Sequence, residues 1–139
     1  MQAATVSSSA SRMFAQCCLQ KVNLSGINTS NVTDMSEMFE ACSSIRSVNF
    51  GGIDTSNVTN MVSMFDRTGY NAKTFKITGI DRWNTSNVTD MQHMFRDSGY
   101  NSSTWNVGAI NNWNTENVTN MNAMFEKAGF ECPQIHEKN

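Results

Sequence analysis

No stretch of this chain approaches the ~20 consecutive apolar residues that a membrane-crossing helix requires, which excludes direct insertion into a bilayer. Basic charge is equally sparse. Ten Lys and Arg against twelve Asp and Glu give a formal net charge of −2, and the scattered cations form no stripe that a phosphate backbone would recognise. Nucleic acid is therefore not an expected partner. No Cys-x-x-Cys pair accompanied by histidine is present, so structural zinc has no support. His93 and His136 stand apart from any repeated acid or nucleophile, and no catalytic residue, cofactor-binding residue or metal ligand is assigned. Residues 1–27 also lack the charged, then apolar, then small pattern of a secretion signal.

What the chain does have is repetition. One twelve-residue phrase occurs four times, at residues 28–39 (NTSNVTDMSEMF), 54–65 (DTSNVTNMVSMF), 84–95 (NTSNVTDMQHMF) and 114–125 (NTENVTNMNAMF), with starts 26, 30 and 30 residues apart. Periods of this size mean stacked coils, because one coil cannot bury its own apolar face. A worn copy ends at Met13-Phe14, preceded by Val6 and Ala10, and is expected to cap the stack with polar Ser7 to Ser11 facing outward. The expected division is one domain: a worn cap at 1–14, repeats at 15–39, 40–65, 66–95 and 96–125, and a partial repeat or tail at 126–139.

Met35, Met38 and Phe39 lie at i, i+3 and i+4, the spacing that gathers three side chains on one face of a short helix. The triad recurs at Met61, Met64, Phe65, at Met91, Met94, Phe95 and at Met121, Met124, Phe125. Thr33, Thr59, Thr89 and Thr119 precede each triad as helix caps, with Asp34 or Asp90 at the positive end. Between the triads, Val22-x-Leu24 and Val48-x-Phe50 alternate with strand period. In the longer coils Phe75, Ile77 and Gly79, and Trp105, Val107 and Gly108, fill this region, each glycine being placed to bulge or bend the strand. The expected architecture is an α/β repeat solenoid, a leucine-rich-repeat-like stack of about five coils, each a short parallel β-strand plus a short helix.

Most residues that look chemical repeat with the coil. The methionines at triad positions read as core filling rather than a soft-metal stripe. Asn31, Asn57, Asn87 and Asn117 would stack into a structural ladder whose amides bond the backbone of adjacent turns, and Asn28, Asp54, Asn84 and Asn114 into an Asx-turn column. Calcium is the alternative for such columns, but three of the four Asx positions offer a neutral amide. The four Asn-Val-Thr triplets are formal N-glycosylation acceptors that come with the phrase, beyond a transferase's reach if the asparagines point inward. Cys17 and Cys42 occupy one coil position; stacked coils lie close enough for a disulfide, yet Thr68-Gly69 and Ser98-Gly99 stand there later, so free thiols are expected.

The phrase TSNVTDMxxMF and the following GYN-x-x-T-F/W, at residues 69–75 and 99–105, resemble the BspA-like leucine-rich-repeat surface proteins of bacteria, a repeat also known as a Mycoplasma domain of unknown function. That resemblance covers roughly residues 11–135. It implies an extracellular or cell-surface setting and a role in adhesion or protein binding. Family members commonly carry a secretion signal and an anchor, and neither is visible here, which leaves open whether the chain is whole or a piece of a longer protein. The chain is read as non-enzymatic, with no cofactor, binding a protein or glycan partner, or itself. Lys21, Asn23, Ser47, Asn49, Thr74, Lys76, Thr104 and Asn106 are the candidate strand-face surface, and Tyr70 and Tyr100 project from the long loops, either as contact residues or as pins for those loops. Two alternatives remain: an assembly subunit whose open ends stack, and an ice-binding face of threonine columns.

Overall fold

Neighbouring copies of the phrase can lie side by side only if their backbone amides find partners across the gap. The computed structural model describes residues 4–133, and in it the copies solve this problem by stacking coil on coil. Four short strands, β1 (Lys21–Asn23), β2 (Ser47–Asn49), β3 (Thr74–Thr78) and β4 (Thr104–Asn106), form one parallel sheet in chain order. Their inner residues Val22, Val48, Phe75 and Ile77 are buried while the flanking residues face outward, the period of two that a half-buried strand requires. Parallel bridges at Ser9, Asp34, Asn60, Asp90 and Asn120 tie the coils together again on another side.

The expected helix is overturned at every copy. None of the four Met-x-x-Met-Phe segments is helical; each is a run of consecutive turns, and a 3-10 turn at Ile80–Arg82 lies between the second and third copies of the phrase. The fold is a parallel strand-and-turn stack, not an α/β solenoid with a helix per coil. Glu37, Ser63, His93 and Ala123 take left-handed φ angles of 54–57° in the middle of the triads, and Ala41, Arg67, Asp97 and Lys127 do so four residues later. A helix cannot contain such residues. The hydrogen bonds explain the choice. Met35, Glu37, Phe39 and Ala41 donate their N–H groups to Asn60, Val62, Met64 and Asp66 of the next coil at 2.8–2.9 Å, while Glu40 and Cys42 donate to carbonyls three residues back. A two-turn helix would keep these amides to itself and is marginal in water. The turn run satisfies half of them locally and half across the stack.

Thr33 and its successors therefore cap no helix. The hydroxyls of Thr59, Thr89 and Thr119 donate to the carbonyls of Thr33, Thr59 and Thr89 at 3.2–3.3 Å. Turns of four residues still bring i, i+3 and i+4 to one side, so the triads form the core: Met35, Met61, Met64, Phe65, Met91, Met94 and Phe95 are all 0% exposed. Phe14, Phe39, Phe65, Phe95 and Phe125 stack as a column of rings with centroids 5.1, 5.9, 5.3 and 5.3 Å apart. Trp83 and Trp113 stack beside it at 5.9 Å. Gly79 (φ 96°) and Gly108 (φ 79°) follow β3 and β4 rather than bulging them. Of the expected partial repeat or tail at 126–139, residues 134–139 lie outside the described residues.

Ala123→Gly separates the two backbone readings by sign. In a helix the change costs about 1 kcal/mol, whereas at a left-handed residue glycine is the easier occupant. We expect urea denaturation to show stability unchanged or raised by up to about 1 kcal/mol.

Candidate functional site

Coil length decides where the surface departs from regularity. Equivalent residues are 26 apart at Cys42 and Thr68, whose amides close the same turn, but 29 apart at Ser47 and Lys76, which pair between β2 and β3. Three extra residues therefore enter the longer coil between these points, one of them before Tyr70, whose carbonyl accepts from Asn101 as the Ser43 carbonyl accepts from Asn71, so the coil before offers a serine where Tyr70 places a ring. In the next coil the same loop repeats, so Tyr100 stacks on Tyr70 with centroids 4.7 Å apart, and Phe130 on Tyr100 at 4.9 Å. The first ring of this row has nothing aromatic on its other side among the described residues. There, a notch of about 440 Å³ opens, lined by Ala41, Ser43, Arg67, Tyr70 and Asp97.

Gly69 makes the step geometrically feasible. Its φ is +67°, and a Cβ there would lie 2.7 Å from the Ile45 carbonyl oxygen, so no side chain fits where the loop leaves the coil. Arg67 and Asp97 reach the notch from successive left-handed positions of the turn run. Their Nε and Oδ2 atoms are 3.8 Å apart and the Arg67 side chain is 60% exposed, a loose pair that leaves hydrogen-bonding capacity for a ligand. Behind them, Asp66 and Arg96 form a tighter pair with contacts of 2.7 and 3.2 Å. Asp66 is buried, and Arg96 supplies the charge that makes its burial tolerable.

The strand face places its residues in columns. Lys21, Ser47, Lys76 and Asn106 are in register, Asn23 and Asn49 lead to Thr78, and Thr74 lies opposite Thr104. Thr78 joins the face through the register between β2 and β3, which the sequence alone does not reveal. Asn23, Asn49 and Asn106 accept N–H bonds through Oδ1 from Ser25, Gly51 and Gly108 at 2.8–2.9 Å, closing the turn after each strand. That work leaves Lys21, Ser47, Thr74, Lys76 and Thr104 as the uncommitted side chains of the face. Tyr70 and Tyr100 lie apart from it, on the loops leading into the strands.

Asn57, Asn87 and Asn117 each donate Nδ2–H to the carbonyl of Ser30, Ser56 or Ser86 in the preceding coil at 2.7 Å. With Asn31 they are exposed rather than inward-pointing. Asn28, Asp54, Asn84 and Asn114 accept the N–H two residues on, as Asx turns. A further column went unnoticed although the phrase displayed it: Thr29, Thr55 and Thr85 donate their hydroxyls to the carbonyls of Asp54, Asn84 and Asn114 at 2.8–3.1 Å. Among the described residues no group of three His, Cys, Asp or Glu could hold a metal ion, and no helix is long and apolar enough to cross a membrane.

Arg67, Asp97, Ser43 and Ala41 were also missed as site residues; the jump from 26 to 30 residues was the only signal for them. One rank from the notch, Glu40 is pushed up to about 7, first by its hydrogen bond with Glu37, then by burial and the Glu37 charge, with Arg12 pulling the other way. Folded Glu40 therefore holds a proton that the unfolded chain releases above about 4.5. Stability must fall as pH rises from about 4.5 to about 7 and level off above. Thermal melts of Glu40→Gln should lose that slope and lie above the wild type at pH 8.

Residues 67–135, just under half of the chain, match the family described as Mycoplasma protein of unknown function, DUF285. No curated protein and no solved structure matches the chain.

Proposed function

We propose that this chain is a non-enzymatic binding module that holds a glycan in the notch beside Tyr70, with the strand face as a flanking polar surface. The observation that carries the reading is the step in coil length, which leaves one face of the Tyr70 ring open within reach of Arg67, Asp97 and Ser43. A sugar ring offers an apolar C–H face for an aromatic side chain and hydroxyls for a carboxylate, a guanidinium and a serine. A concave site with one flat apolar wall and a few convergent polar groups suits that chemistry. The resemblance of the repeat phrase to BspA-like surface proteins supports a surface or secreted setting and an adhesive role, and the match to a Mycoplasma family over residues 67–135 agrees with a bacterial origin.

A second reading has its own observation. Met121 and Phe125 are 43% and 46% exposed at the end of the ring column, an apolar surface suited to end-on assembly. Ice binding draws less support, because the exposed threonine column of Thr33, Thr59, Thr89 and Thr119 uses its hydroxyls on carbonyls of the preceding coils.

An array of immobilised oligosaccharides tests the first reading. The full chain should bind at least one, and Tyr70→Ala and Arg67→Ala should weaken that binding about tenfold or more while both variants keep the wild-type circular dichroism spectrum. Retained binding in both variants, lost instead in Lys21→Ala with Lys76→Ala, would move the site to the strand face. Self-association in sedimentation without glycan binding would favour assembly.

A further inference from the structure

One column of the stack changes chemistry along its length. Cys17, Cys42, Thr68, Ser98 and Ala128 are equivalent, each donating its N–H to the carbonyl of the phenylalanine three residues before it. The fold asks little of this position beyond small size and, in places, one donor. Thr68 Oγ1 donates to the Phe39 carbonyl at 2.8 Å, just as Cys42 Sγ donates to the Phe14 carbonyl at 2.7 Å. A hydroxyl would serve both coils. Yet the first two coils carry sulfur, and the sulfurs touch: Cys17 Sγ and Cys42 Sγ are 2.9 Å apart, both as free thiols.

The surroundings already hold the two coils in the register a bond would need. On one side Phe14 N–H bonds the Met38 carbonyl at 2.9 Å and Gln16 N–H the Glu40 carbonyl at 2.8 Å, and the Phe14 and Phe39 rings stack at 5.1 Å. The sulfurs stand 2.9 Å apart, so only about 1 Å separates them from the ~2.05 Å of a disulfide. The first coil is also the one with most to gain: Met13 and Leu19 are 42% and 48% exposed, so it has the thinnest apolar cover of the first two coils.

We propose that Cys17 and Cys42 are a disulfide site that clamps the first coil to the second under oxidising conditions. The half-buried Cys17, as thiolate, attacks one sulfur of a small-molecule disulfide such as oxidised glutathione, forming a mixed disulfide and releasing one thiol. Cys42, giving up its proton to water, then attacks Cys17 Sγ and expels the second thiol. Two protein thiols are oxidised and one external disulfide is reduced to two thiols. In the reduced chain burial first, and then the Cys17 hydrogen bond, push the Cys42 thiol up to about 12, and since the thiolate is the attacking form, closure is favoured by raised pH. Cys18 is exposed and can capture the oxidant without closing a bridge.

The test treats the reduced full chain with oxidised glutathione at pH 8.5, alkylates it and digests it with trypsin, which releases residues 13–21 and 22–46 as separate peptides. The proposal expects these joined, two hydrogen atoms lighter than the sum of the two peptides with Cys18 alkylated in wild type, and likewise joined in Cys18→Ser, but not in Cys17→Ser or Cys42→Ser. Hydrogen exchange at the Phe14 and Gln16 amides should slow about tenfold or more in the bridged chain. Mixed glutathione adducts without the joined peptide, a joined peptide that survives Cys17→Ser, or exchange left unchanged by the bridge would each overturn it.

Discussion

Everything in this molecule depends on backbone amides that pair from one coil to the next. Parallel segments pair at a fixed spacing of about 4.8 Å, so whatever one coil places at a position, the next must place beside it. That requirement explains the column of five phenylalanines, and it explains why Asn57, Asn87 and Asn117 each reach the same carbonyl of the coil before. It also explains left-handed residues at Glu37, Ser63, His93 and Ala123. A non-glycine residue there costs about 1–2 kcal/mol, and the cost is offset because the kink lets alternate N–H groups face the neighbouring coil while the methionines stay inside.

A stack of identical coils has no natural place for a site, since every groove repeats. A site is therefore to be sought where repetition fails. The lengthening between the second and third coils is the clearest such failure, and it separates two roles for one residue type. Tyr100 is stacked between Tyr70 and Phe130, a pin within a row, whereas Tyr70 ends the row and faces the notch. The two sulfurs mark another break, where a column that elsewhere carries oxygen or a methyl group carries a pair of thiols in contact.

The columns were legible because they are one-dimensional: a residue recurring at a fixed period must meet its own copies, so the Met-Phe core, the strand positions and the asparagine ladder can be located by counting. The helix was misread for a physical reason. Residues i, i+3 and i+4 share a face in a helix and also in successive four-residue turns, so Met35, Met38 and Phe39 cannot tell the two apart. What distinguishes them is where the amides go, and that is set by the neighbouring coil. The same limit hid Thr78 and the notch, because both arise from an offset that grows from 26 to 29 residues between Cys42 and Ser47.

Through-hydrogen-bond couplings between amide nitrogens and carbonyl carbons, measured by NMR on labelled protein, test the coil-to-coil pairing most directly. The Phe39 nitrogen should couple to the Met64 carbonyl carbon and the Phe65 nitrogen to that of Met94. Couplings from these nitrogens to the carbonyls of Met35 and Met61, four residues back, would mean that the segments are helices after all and would contradict the account.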